Sequence, residues 1–230
     1  MAATSTILIV GASRGLGLAI ATEFLARGWN VIGTVRAGVL TLLHDLAEAN
    51  PGRVEIEPLD ITVPDDIAAL RDRLAGRNID TVFVNAGTTT QEPHVGIGAV
   101  STDEFTRVML TNALSPMRVV EALQGLVPAT GLIGVMTSGQ GSIANNRNGV
   151  GDVYRASKAA LNMLMRGFEA RHPDRALLLL APGWIRTELG GPDAPYTLEE
   201  NAPILVDLLV GAIGMPGLRY LDRFGKVVPW

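Results

Sequence analysis

The sequence predicts an α/β domain in which helices wind over both faces of a central, mostly parallel sheet. Three observations carry this prediction. Short runs rich in Val, Ile and Leu alternate with longer helical patterns along 230 residues, as parallel strands alternate with crossover helices. The runs are rich in Val, Ile and Leu, as in strands buried on both faces. The first run ends in a glycine-rich turn, Gly11-Ala12-Ser13-Arg14-Gly15-Leu16-Gly17, that opens the first helical pattern.

In chain order the elements are as follows. Residues 7–10 form the first strand, and 15–27 the first helix, which ends where Gly28 suits the left-handed position after a helix. Residues 31–35 are the second strand, about 40–49 the second helix and 54–58 the third strand. The helix over 64–75 starts on Pro64, with Asp65 and Asp66 in its first turn, where both residue types suit a helix start. The strand 81–84 leads to a long helix over 102–126. The strand 132–136 leads to a helix over 152–172, and 176–181 is the last apolar run. The longest irregular stretch, 183–203, contains Gly190-Gly191-Pro192 and Pro195. In a compact chain such a loop commonly acts as a lid. No repeat, low-complexity tract or linker divides the chain, so residues 1–230 read as one domain.

Composition narrows the function. Hydrophobic residues make up 47% and charged residues 18%, which supports a large core and excludes disorder. A net charge of −4 and a pI near 5.4 leave no basic face for nucleic acid. With no cysteine, disulfide scaffolds, thiolate metal sites and cysteine nucleophiles are excluded. The acidic residues form no ligand-spaced cluster, and His44, His94 and His172 read as surface residues, so no metal site is expected. The N-terminus, Met1-Ala2-Ala3-Thr4-Ser5-Thr6, has no basic segment before its apolar run. No apolar run approaches the roughly 18 residues of a membrane span. A soluble, cytoplasmic protein without membrane or nucleic-acid partners is expected.

Two groups of residues carry chemistry. In the glycine turn, the backbone of a strand–turn–helix unit can approach a pyrophosphate lying on the helix N-terminus. The spacing is GxxxGxG, and alone it is equally a turn without a ligand. Asp60, followed by Ile61, and Asn85-Ala86-Gly87 stand after the third and fourth strands. That is the sheet edge where open α/β folds bind ligands. Asp60 suits an adenine amine and Asn85-Ala86-Gly87 offers a flat backbone edge. Singly, each is also ordinary turn chemistry. The second group is Tyr154-Arg155-Ala156-Ser157-Lys158, with Ser138 16 residues before the tyrosine. Four residues apart on a helix, Tyr154 and Lys158 share a face. An ammonium beside a phenol favours the phenolate and lowers a pKa otherwise near ~10, making tyrosine a usable proton donor and acceptor. With a hydride carrier, this is the chemistry of a carbonyl/alcohol oxidoreductase.

The ordered set Gly11-x3-Gly15-x-Gly17, Asn85-Ala86-Gly87, Asn112, Ser138, Tyr154-x3-Lys158 and Pro182-Gly183 resembles the short-chain dehydrogenase/reductase family over essentially the whole chain. A narrower likeness is to the C-factor (C-signal) and sniffer-like branch. It rests on the segments 138–143, 154–162 and 182–191, on the terminal Pro229-Trp230, and on a serine-to-tyrosine gap longer than in most of the family. The resemblance implies a single Rossmann-like, doubly wound domain with a seven-stranded, mostly parallel sheet. It also implies roles. Ser138 orients the substrate carbonyl and Tyr154 is the general acid. Lys158 binds the nicotinamide ribose and lowers the tyrosine pKa. Asn112 helps hold a water that links Lys158 to solvent. Ile185 and Thr187 contact the carboxamide. Gly11, Ser13, Arg14, Gly15, Leu16, Gly17, Asn85, Ala86, Gly87, Pro182 and Gly183 line the cofactor. Gln140, Trp184, Leu189 and Tyr196 are candidates for the substrate pocket. A homo-oligomer, dimer or tetramer, built through 102–126 and 152–172 is implied, and so is a C-factor-like alternative in which nucleotide binding rather than turnover matters.

The cofactor is expected to be NADP(H) rather than NAD(H). NAD-binding versions of the fold carry an acidic residue near the end of the second strand for the ribose 2′-hydroxyl. Here the strand reads Val31-Ile32-Gly33-Thr34-Val35-Arg36, without a carboxylate. Arg36 and Arg14 together suit a 2′-phosphate through charge-assisted hydrogen bonds.

Overall fold

The structure, a computed structural model, describes residues 4–230. The first three residues of the N-terminal reading lie outside the described residues. The elements run β1 (Thr6–Val10), α1 (Gly15–Ala26), β2 (Asn30–Val35), α2 (Leu42–Ala49), β3 (Val54–Pro58), α3 (Pro64–Arg73) and β4 (Thr81–Val84). There follow α4 (Thr102–Met109), α5 (Ser115–Leu123), β5 (Leu132–Met136), α6 (Asp152–Arg171), β6 (Ala176–Ala181), α7 (Leu198–Ala212) and β7 (Gly217–Asp222). The seven strands lie in the order β3-β2-β1-β4-β5-β6-β7, and all six pairings are parallel. The order reverses between β1 and β4, so their carboxyl ends open the crevice where such sheets bind ligands.

The interior strands β2, β1, β4, β5 and β6 each feed two cores, which is why their sequences lack polar alternation. By contrast, Val54 and Ile56 of the edge strand β3 reach one core and alternate with Glu55 and Glu57. In β1, Leu8 and Val10 face one core with Leu70 of α3, Val119 of α5 and Leu161 of α6. Ile7 and Ile9 face the other, with Phe24 of α1, Leu43 of α2 and Leu205 of α7. Every one of these side chains is fully buried, and each contributes about 1.5–3 kcal/mol relative to exposure.

The expected seven-stranded sheet is found, and it is wholly parallel. Three expectations change. The helix over 102–126 is continuous in direction but not in type: a π-helical turn, Leu110–Leu114, separates α4 from α5. The irregular stretch 183–203 ends early, because α7 starts at Leu198 and carries Pro203 inside it. Thr197 and Glu200 form a reciprocal capping box there, which offsets part of the disruption from an internal proline. His44 is not a plain surface residue either: its Nδ1 takes the Thr41 backbone N–H at 3.1 Å and caps α2.

Candidate active site

The glycine turn is a cradle that side chains would fill. Gly11 sits at φ 89°, and a Cβ there would lie 2.9 Å from the Ala86 main chain. At Gly17 a Cβ would fall 2.0 Å from the Gly11 carbonyl oxygen and 2.6 Å from Asn85 Nδ2. Asn85 Nδ2 donates to that carbonyl at 2.8 Å, and the Gly11 N–H donates to Thr34 Oγ1 at 2.9 Å. Thus β1, β2 and β4 are locked together around a bare backbone edge. The first turn of α1 has no side-chain cap, so its N–H groups are available to an anion. Ser13, Arg14, Arg36 and Thr41 line an adjoining cleft of about 490 Å³. These residues fit a dinucleotide phosphate. Arg14 already holds an ion pair with Glu188 across the cleft mouth, whereas Arg36 has none among the described residues. Asp60 is engaged locally: its Oδ1 accepts from the Thr62 hydroxyl at 2.7 Å and backbone N–H at 2.8 Å. These bonds, with Arg36 nearby, hold its carboxyl below the usual range. Ile61 is buried in the core, and Leu16 packs against the other one.

Ser138, Tyr154, Lys158 and Asn112 gather beyond β4 and β5. Ser138 follows β5, and its Oγ accepts from the Gln140 N–H at 3.1 Å. Tyr154 and Lys158 share a face of α6, with Lys158 Nζ 5.9 Å from the phenol ring centre. Nζ donates instead to the Met136 carbonyl at 3.1 Å. The expected lowering of the Tyr154 pKa by Lys158 is not found: burial pushes the phenol up, opposed by the neighbouring Ser138 hydroxyl. Burial also pushes Lys158 down to about 8. A Cβ at Gly87 would lie 3.2 Å from Asn112 Oδ1 and 3.6 Å from Lys158 Nζ, so the Asn85-Ala86-Gly87 edge, Asn112 and Lys158 meet. Asn112 is fully buried within the π-helical turn. Its Oδ1 takes the Thr88 N–H at 2.7 Å. Its Nδ2 donates to the Thr88 carbonyl at 2.8 Å and to Ser157 Oγ at 3.0 Å.

The third side is the segment between β6 and α7. Asn201 Nδ2 holds the Pro182 carbonyl at 3.0 Å, beside Gly183. Ile185 is buried and bridges Tyr196. Thr187 faces the glycine turn, with its Cγ2 3.8 Å from where a Cβ on Gly15 would stand. The indole of Trp184 donates to the Gly190 carbonyl at 2.7 Å. Trp184, Leu189 and Gln140 are exposed, while the Tyr196 ring lies 3.7 Å from the Arg223 guanidinium carbon. The sequence reading did not find Thr34, Thr88, Ser157, Asn162, Tyr220 or Arg223. Ser157 and Asn162 carried a signal, through their places in the 154–162 segment.

Comparison with known proteins identifies the family. The family model for short chain dehydrogenase matches residues 5–195. A short-chain dehydrogenase/reductase from Burkholderia multivorans with bound NADP is 60% identical, with a TM-score of 0.98 over 99% of this chain and 100% of that one. A carbonyl reductase from Pseudomonas aeruginosa PAO1 in complex with NADP is 36% identical, with a TM-score of 0.90 over 99% and 100% of the two chains. C-signal from Myxococcus xanthus is 35% identical over 156 residues, covering 66% of this chain and 93% of that protein. The chain therefore belongs to the short-chain dehydrogenase/reductase family of oxidoreductases, in the branch that holds C-signal and its carbonyl reductase relatives.

Proposed function

We propose that this oxidoreductase interconverts a small carbonyl compound and its alcohol with NADP(H), and that Tyr154 is the general acid and base. The observation that carries the reading is the convergence of Ser138, Tyr154 and Lys158 beside the Gly87 edge and the glycine cradle. A bound nicotinamide dinucleotide supplies the hydride chemistry. The Gly11–Gly17 turn, the Asn85-Ala86-Gly87 edge, Pro182-Gly183, Ile185 and Thr187 hold it. Lys158 contributes an ammonium to the ribose side.

The chain's own work is to place and protonate. The Ser138 hydroxyl orients the substrate oxygen and stabilises the charge that develops on it. Tyr154, kept protonated at neutral pH by burial, gives its proton to that oxygen in reduction. In the reverse direction it takes the proton back, which requires the phenolate. The Asn112 side chain is spent on Thr88 and Ser157, so any water relay to Lys158 runs through its main chain. Exposed Trp184 and Leu189 on the 182–197 segment support a partly apolar substrate wall.

Preference for NADP(H) is supported by Arg36 and Arg14 and by the lack of a carboxylate at the end of β2. A charged hydrogen bond is worth about 1.5–3 kcal/mol, or tenfold or more in preference. A second reading, nucleotide binding without turnover, draws on the likeness to C-signal. It leaves the intact Ser138, Tyr154 and Lys158 without a purpose. The deciding experiment is a panel of aldehydes and ketones followed by NADPH absorbance. Tight NADPH binding with no turnover on any compound would favour the second reading.

A further inference from the structure

Behind Ser138 stands an aromatic ring that this function does not use. Tyr220 lies on β7 and is 1% exposed. Its register opposite Leu179 sets it against the core beneath α6. Its hydroxyl donates to the main-chain carbonyl of Ser138 at 2.5 Å. Burial pushes that hydroxyl up to about 12, so it remains a donor across the working pH range.

The surrounding segment is pinned from the same side. Thr137 Oγ1 donates to Asn162 Oδ1 at 2.7 Å, and Asn162 Nδ2 donates to the Gly141 carbonyl at 3.3 Å. The main-chain oxygen of Trp230 accepts from the Ala144 N–H at 3.0 Å and from Ser142 Oγ at 3.4 Å. The Trp230 ring centre lies 5.4 Å from that of Tyr220 and 5.3 Å from the Arg166 guanidinium carbon. By contrast, the Ser138 hydroxyl receives only the N–H of Gln140, from its own turn. A contact two residues away moves with the serine and cannot fix it. Its carbonyl accepts from the Gly141 N–H at 2.9 Å within the same turn, and Tyr220 supplies the bond to that carbonyl from another element.

We propose that Tyr220 is a positioning residue: its hydroxyl, braced by Trp230, holds Ser138 where the serine hydroxyl meets the Tyr154 phenol. The consequence for chemistry rests on the acid/base role proposed for Tyr154, but the positioning is measurable without turnover. The chain has three tyrosines, so a protein labelled with 13C at tyrosine Cζ shows three resonances, assigned with Y154F and Y220F. At neutral pH, S138A should move the Tyr154 resonance by removing the neighbouring hydroxyl. Y220F should move it in the same direction, and Y220F added to S138A should move it no further, since coupled residues are not additive. W230A keeps the hydroxyl and removes the brace, and should give a smaller displacement even if Y220F proves unstable. In turnover, Y220F should lower kcat on the order of tenfold with NADPH affinity within about twofold. A Tyr154 resonance that S138A moves, but Y220F and W230A leave in place, would overturn the proposal. Loss of all wild-type turnover would instead sink the oxidoreductase reading and leave the resonance test standing.

Discussion

Burial drives the two ionisable groups on the α6 face toward their neutral forms. Tyr154 is pushed up and Lys158 down to about 8. Their spacing was legible in the sequence. Their electrostatics were not, because the burial that shifts both groups comes from elements distant in sequence, among them β5, whose Met136 carbonyl takes Lys158 Nζ. The lysine shift has a consequence for stability. Below about pH 8 both folded and unfolded chains carry the proton, and the folded one bears the cost of burying it. Between 8 and 10.5 the folded chain releases the proton first, so stability rises with pH there. The shift corresponds to roughly 3 kcal/mol. Lys158→Met should therefore raise Tm at pH 7 by on the order of 5 °C, and the gain should shrink as pH approaches 10. Thermal melts at the two pH values check this, and a lower Tm at pH 7 would count against it. Arg36 carries the other residue-scale prediction. Arg36→Ala should cut the NADPH-to-NADH ratio of kcat/KM by about tenfold at fixed ionic strength. An unchanged ratio would remove Arg36 from the argument. Arg14 should matter less to that ratio, because Glu188 already engages it.

At the scale of elements, apolar runs and helical periodicity located six strands and five helical segments to within a few residues. What they did not reveal depends on partners far along the chain. The π-helical turn at Leu110–Leu114 is fixed by Asn112 reaching Thr88 on the segment after β4, and periodicity alone reads through it. Pro203 obscured α7, although the Thr197–Glu200 capping box was visible as a Thr-x-x-Glu pattern. The unread β7 is only half-buried along most of its length, so it lacks the apolar continuity of the others. The stretch 183–203, read as a lid, is internally bonded in the part before α7. The Gly190 N–H donates to Thr187 Oγ1 at 3.0 Å, and Arg186 holds the Ala194 carbonyl at 3.1 Å. Gly190 has no room for a side chain: a Cβ would fall 2.0 Å from the Ile185 carbonyl oxygen. Gly190→Ala should therefore shift the Ile185–Thr187 turn and raise KM for NADPH several-fold, with a small loss in Tm. Steady-state kinetics at varied NADPH test this, and a wild-type KM would show that the segment does not shape the cofactor site.

For the whole molecule, the parallel sheet delivers chemistry from distant stretches of sequence to one edge. Motif order was enough to assign the edge and the family, because Gly11, Asn85, Ser138 and Pro182 follow strand ends and Tyr154 stands in the first turn of α6. The supporting shell was not legible, because Thr34 and Tyr220 belong to no motif and Asn162 only ends the 154–162 segment. The helices α4 and α6 also expose Phe105, Met163 and Leu164 at 38%, 71% and 43%. These apolar faces support the proposal of a homo-oligomer built through them, and light scattering should give at least twice the 24.3 kDa chain mass. A monomer at working concentration would rule this out. No described helix is long and apolar enough to cross a membrane. The most direct measurement of the central claim compares wild type with Tyr154→Phe on a carbonyl compound that the NADPH panel identifies. The phenol supplies the proton but little ground-state binding. Turnover should therefore fall by about a hundredfold or more, with NADPH affinity within about twofold of wild type. Wild-type kcat in Tyr154→Phe would contradict the account.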